Sequence, residues 1–495
     1  MSLAYGIVLA LVGVLSGAVA PAYAATLDGV PPSKDARSVC ADFEAAPDES
    51  FAACTRLITA GQLGGQDLAR VMAQRAGADL GRGDMARALA DAEEALGLEP
   101  GSSLAHYARA MVLMQQGQTA PAIEAFSRSL ETAPDSIRTL TGRCRAYGLA
   151  DDFQRGLADC DRAVALDPLH ATTLITRADV RRSSGDRAGA IADYGEALRL
   201  EPRNVYSLSA RGDVYLTVSE IDRAIEDFDA ALAIDALRAD IYVSRGLAWR
   251  AKGDRKRALD DTSAAIRLAP KNFNALNNRC FYLWEFGRLE EALADCNAAI
   301  GISTKPARVY ANRALVLATL GDIEPAIADA DEALKRDPGS VTALEARADA
   351  HLKQGHADFA IADLTRIGEI TPNNSRLWYS RGLAYVAVGD RPHSIEDFTR
   401  VLTLEPDHID ARIKRAEALA KIGELDKALA DFSYVLRLEP QNVVARANRG
   451  IVYEARKEID RAREDYAVAV RATASRKDEK AAQEIARLKL HQYGD

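Results

Sequence analysis

Aromatic side chains are scarce in this chain, 6% of 495 residues, so a core has to be built mainly from Ala, Leu, Ile and Val. Glycine and proline are also few, 33 and 17, well below the proportions of collagen-like or low-complexity chains. An excess of positive charge is missing. The 63 basic and 72 acidic side chains leave a formal charge of −9, which speaks against sequence-blind binding of nucleic acid through bulk charge. Site motifs are absent too: there is no phosphate-binding Gly loop, no G-x-S-x-G and no H-E-x-x-H. The 7 histidines are scattered. His351 and His356 read as surface residues, and none lies near the cysteines at zinc-ligand spacing. The expectation is a chain that is not an enzyme and holds neither cofactor nor metal. What is present, 48% apolar and 27% charged residues, is the balance of an ordinary folded protein.

The first charged side chain is Asp28, and before it residues 7–20 form an apolar run followed by Pro21 and Ala22-Tyr23-Ala24. A short apolar stretch ahead of small residues in an A-x-A arrangement is what signal peptidase cuts. Residues 1–24 therefore read as a signal peptide, cleaved after Ala24. The alternative is an uncleaved anchor, because no Lys or Arg precedes the run. Gly13, Ser16 and Gly17 interrupt it, and it falls short of the roughly 20 residues of a spanning helix. Cleavage would leave a periplasmic or secreted protein with no stable membrane insertion.

Proline spacing gives the organisation. Pro100, Pro134, Pro168 and Pro202 recur every 34 residues, and Pro270, Pro338, Pro372, Pro406 and Pro440 fall on the same grid, with Ala236 and Thr304 at its two vacant points. A fixed period of this size means stacked supersecondary units rather than independent domains. Twelve repeats fill residues 69–476. The eighth position is always small (Ala110, Cys144, Gly212, Gly382 among others), and the twentieth is Ala except at Gly156 and Ser394. Small residues there let two helix backbones approach. Gly-Asp pairs such as Gly83-Asp84 and Gly253-Asp254 lie between them, suited to end one helix and cap the next. Aromatics four residues past the twentieth position share its face. Each unit reads as a helix–turn–helix hairpin.

This pattern resembles the tetratricopeptide repeat family, most closely at residues 375–408, where Trp378, Gly382, Tyr385, Phe398 and Pro406 are in place. The resemblance implies an all-α, right-handed α-solenoid. One departure is consistent: position seven is Arg in every repeat, from Arg75 to Arg449, and position twenty-three is Asp except at Ala125. In an antiparallel hairpin the two positions face each other, as a repeated ion pair or with each Arg covering its neighbours. Cys144 with Cys160, and Cys280 with Cys296, occupy positions eight and twenty-four of their repeats and read as disulfides. The alternative is buried free thiols. Cys40 and Cys54 would clip a shorter hairpin around Pro47-Asp48-Glu49. Disulfides need an oxidising compartment, in agreement with a signal peptide.

The ends read as caps. Residues 25–68 would be a linker and an atypical helical hairpin, in which Ala52-Ala53-Cys54-Thr55-Arg56-Leu57-Ile58 resembles the start of exported repeat proteins of alphaproteobacteria. Residues 477–495 would be a charged C-terminal capping helix, since the end units of a solenoid need a face that meets water.

The family resemblance also implies a concave groove lined by the first helices. Carried over by position, that groove is apolar in the centre of the chain: Tyr206, Leu216, Val243, Leu247, Phe281, Trp284 and Leu315, with Asn274 and Asn277 beside them. Apolar area with a few amides suits a protein or peptide partner. Charges of both signs flank it, Arg138, Arg145 and Arg182 on one side and Glu345, Asp349, Asp410 and Glu417 on the other. The chaperone-tail clamp of some members is absent: Asn278, Asn312 and Asn448 match its middle Asn, but its other positions are replaced. The function expected is a non-catalytic exported scaffold. The alternatives are a periplasmic component of an envelope polysaccharide export or assembly machine, and a glycan-binding solenoid.

Overall fold

A computed structural model describes residues 35–43, 46–303 and 307–493. The signal segment, its cleavage site at Ala24, Thr304 and Asp495 lie outside the described residues. The described residues form helices joined by short turns, with no strand among them. Two short helices, Ala36–Ala41 and Pro47–Thr59, come first. Twelve helical hairpins follow, from Gly65–Arg82 paired with Met85–Leu98 to Val443–Ala455 paired with Ile459–Arg471, and the helix Lys477–Gln492 comes last. The chain divides into two compact units at Leu200, four hairpins in the first and eight in the second. Within each unit, every helix packs against its sequence neighbours.

The local chemistry explains the hairpins. At Gly83 and Gly253 the chain turns with φ of 79° and 92°, a left-handed conformation that suits glycine. Asp84, Asp152, Asp254 and Asp390 then cap the second helix, each side chain accepting the backbone N–H of the residue three further on. Asn204, Asn272, Asn374 and Asn442 cap first helices in the same way. Facing small residues bring the two helices of a hairpin together, and Ala88, Ala122, Ala224, Ala292 and Ser394 have no exposed surface. A Cβ added at Gly212, Gly382 or Gly450 would sit 2.6–2.7 Å from the ring of Phe228, Phe398 or Tyr466. The aromatic of the second helix thus fills the space that the small residue leaves.

Arg at position seven forms a two-pronged pair with Asp at position twenty-three in eleven hairpins, at 2.6–2.9 Å. A third contact exceeds what an isolated hairpin would show. The remaining guanidinium nitrogen reaches the second helix of the preceding hairpin: Arg177 to Asp161 at 2.9 Å, Arg313 to Asn297 at 2.7 Å, Arg415 to Thr399 at 3.2 Å. One side chain therefore ties three helices.

Disulfides take the place of the small–aromatic pair in two hairpins. Cys144–Cys160 and Cys280–Cys296 have Cα separations of 5.6 and 5.5 Å, and Cys40–Cys54 joins the two N-terminal helices at 4.9 Å. The last encloses a different turn from the one expected. Pro47-Asp48-Glu49 is the first turn of the second helix, where proline has no intrahelical N–H to lose, so these three residues belong to a helix and not to the connection.

Candidate functional site

Within the second unit, the first helices of the fifth to eighth hairpins, Val205–Thr217, Ala239–Lys252, Phe273–Glu285 and Ala307–Leu320, carry the nine residues singled out above. Tyr206, Leu247 and Asn274 are exposed, and Leu216, Phe281 and Trp284 are half-buried. Val243, Asn277 and Leu315 are buried, so they support the surface rather than meet a ligand. Leu315 lies beneath Phe281 and Trp284, whose rings pack 5.4 Å apart against the core of the eighth hairpin. Asn277 is tied inward: its Oδ1 accepts from Asn312 Nδ2 at 2.9 Å.

Two contacts fix the aromatic pair. The Trp284 indole N–H donates to Thr319 Oγ1 at 2.8 Å, and that hydroxyl donates to the Leu315 carbonyl at 2.7 Å. The Arg250 guanidinium lies 4.7 Å from the centre of the Phe281 ring and pairs with Glu285 at 3.3 Å. Both rings are therefore held before any ligand arrives, which lowers the ordering cost of binding. Sequence reasoning missed Arg250 and Glu285. They act between hairpins, 35 residues apart, and the only available signal is their place on the face that holds Phe281 and Trp284.

The flanking charges are partly spent within the protein. Glu417 pairs with Lys414 at 2.9 Å and accepts from Asn448 at 3.0 Å. Arg138 lies 5.2 Å from the Phe43 ring. Burial pushes the Glu345 carboxyl above its usual range, opposed by the charge of Arg376. His351 stacks on Phe359 at 5.1 Å. Among the described residues, no three His, Cys, Asp or Glu side chains converge as a metal site requires.

Stacked hairpins with a preformed apolar surface define a helical-repeat scaffold. The chain belongs to the tetratricopeptide repeat family. Models of that repeat match residues 79–144, and residues 175–239, 209–273, 312–375, 379–443 and 413–477. No curated protein is similar enough to match. Among solved structures, the chain is similar to the APC/C hetero-tetramer Cut9–Hcn1, with 13% identity over 91% of this chain and 95% of that one and a TM-score of 0.52. That likeness concerns the fold alone. Shorter matches are YrrB, described as a tetratricopeptide repeat protein with an unusual peptide-binding site, at 23% identity over 38% of this chain and 97% of that one with a TM-score of 0.33. A tetratricopeptide repeat protein from Parabacteroides merdae matches at 23% identity over 50% of this chain and 98% of that one, with a TM-score of 0.36.

Proposed function

We propose that this scaffold is exported to the periplasm, its signal removed after Ala24, and that it binds a protein or peptide partner without catalysis. The observation that carries the binding is the held pair Phe281 and Trp284, continued by exposed Leu247 and Tyr206. Tryptophan and other aromatics set in an apolar surround dominate binding energy at interfaces. One partner Leu or Phe covered by the pair would contribute about 1.5–3 kcal/mol, and Asn274 beside it offers an amide for the partner's backbone. Export rests on two features: the apolar run before Ala22-Tyr23-Ala24, and six cysteines that all sit in disulfides, a pairing favoured outside the reducing cytosol.

The test is a cross-linking pull-down from an envelope extract. Mature protein is compared with a Phe281→Ala, Trp284→Ala variant that keeps its circular dichroism. A partner held by the wild type and lost by the variant supports the surface. A partner that survives both changes places binding elsewhere. Capture of no protein by either form favours the glycan or polysaccharide-export reading. The mass of the mature N-terminus checks cleavage after Ala24.

A further inference from the structure

Beside the aromatic pair, at the turn edge of the sixth hairpin, lies a cavity of about 790 Å³. Its wall carries Trp249, Arg250, Lys252, Arg255, Lys256 and Arg257 against only Asp254 and Glu285. Five cations within residues 250–257 stand out in a chain whose formal charge is −9.

Intramolecular pairing does not neutralise them. Glu285 is shared between Arg250 at 3.3 Å and Arg255 at 3.8 Å. Asp254 is the helix cap and meets Arg257 at 3.3 Å. Lys252 reaches Asp222 at 2.6 Å. Lys256 has no ion pair among the described residues, and Arg255 and Arg257 keep 62% and 60% of their side-chain surface exposed. Arg255, Lys256 and Arg257 also occupy the first turn of Arg255–Leu268 with no acidic residue there. The helix dipole thus works against this placement of cations. Apolar surface accompanies the charge. Phe286 lines the same cavity and is 44% exposed. The Trp249 ring has Arg257 at 4.4 Å and Lys252 at 5.5 Å from its centre, which holds those two side chains over one ring.

We infer that this edge is a docking point for an acidic peptide segment of a partner protein, with carboxylates on Arg255, Lys256 and Arg257 and one apolar side chain on Phe286. Charge complementarity selects the occupant. Most of an acidic chain repels an acidic segment, and this edge is where such a segment would be steered. The inference stands apart from the function proposed for Phe281 and Trp284, and its test touches none of the residues on that surface.

The probe is a short fluorescein-labelled peptide of glutamates around one leucine, titrated with mature, disulfide-intact protein at low ionic strength and followed by anisotropy. The expected result is saturable binding that weakens with salt, and a loss of about tenfold or more in the Arg255→Glu, Lys256→Glu variant, equivalent to about 1.4 kcal/mol. A control, Lys335→Glu with Lys427→Glu, makes the same change in net charge at two exposed lysines remote in sequence. Compared at about 0.15 M salt, it should bind within about twofold of wild type, because exposed charges more than about 8 Å apart are largely screened there. No binding by the wild type would overturn the inference. So would equal losses in both variants, which would mean diffuse charge. A sulfated polysaccharide that displaces the peptide at far lower concentration would replace the peptide as occupant and overturn it as well. Circular dichroism of each variant checks that it folds.

Discussion

Replacing Asp431 with Ala isolates the repeated ion pair in a single hairpin. Asp431 accepts from Arg415 at 2.8 and 2.7 Å and from Arg412 at 3.3 Å. Its side chain is 7% exposed and that of Arg415 is 20% exposed. Without the carboxylate, Arg415 keeps only its 3.2 Å contact to Thr399. Arg412, whose Nε is already buried without a partner, loses its one carboxylate contact among the described residues. Breaking a fully buried pair costs about 3–5 kcal/mol, and partial exposure of the guanidinium brings this to about 2–3. Stacked repeats open locally rather than all at once, so the assay is native-state hydrogen exchange of the helices Ile409–Lys421 and Leu425–Leu438. Exchange there should speed up about 30- to 160-fold at 1.36 kcal/mol per decade, with distant hairpins much less affected. Arg415→Leu with Asp431→Leu replaces the main pair by apolar groups and leaves only Arg412 uncompensated, so it should exchange clearly more slowly than the single variant. An Asp431→Ala rate within threefold of wild type, or a double variant as fast as the single one, would refute the reasoning.

The disulfide Cys280–Cys296 closes a loop with a sequence separation of 16. Its removal as Cys280→Ala, Cys296→Ala should cost about 3 kcal/mol, read as faster exchange in residues 273–302, and unchanged exchange would contradict a stabilising role. Asp79 has no exposed surface, one carboxylate oxygen lacks a partner, and burial raises its pKa against the opposing charges of Arg87 and Arg82. A raised carboxyl pKa means that the carboxylate costs stability once pH rises above the ordinary aspartate value, and costs nothing in acid, where both folded and unfolded chains are protonated. Asp79→Leu, the residue found at the matching positions 113, 283, 317 and 419, should therefore stabilise by about 1–3 kcal/mol at neutral pH. Denaturant midpoints should show that gain shrinking as pH falls from neutrality toward about 4 and largely gone below it, and a constant gain would exclude the carboxylate as its source.

Much of the fold is legible in the sequence because twelve copies stand in for an alignment. A column holding Arg at every copy and another holding Asp at all but one reveal a pair that no single hairpin would. The same columns set Cys144 opposite Cys160. What the columns hide is contact between hairpins. Position twenty-five carries Asp161, Asn297 or Thr399, too varied to read as one role, yet each accepts from the next hairpin's Arg. The site was harder for a related reason. Whether a groove position is open depends on the bulk of its neighbours: Phe281 and Trp284 lean over Leu315 and bury it, while Leu247 at the same register is 37% exposed. Asn277 points inward because Asn312 is there to meet it. Pro47 reads as a turn residue or as a helix start with equal ease, and the helix won.

The most direct test of the binding surface is site-specific photo-cross-linking. A photoreactive residue replaces Leu247 on the proposed surface, or Leu237, which is 76% exposed in the turn between the fifth and sixth hairpins. The account predicts a cross-linked partner from position 247 that is missing from position 237 and lost when Phe281 and Trp284 are changed to alanine. The same adduct from both positions, or from 237 alone, would contradict it.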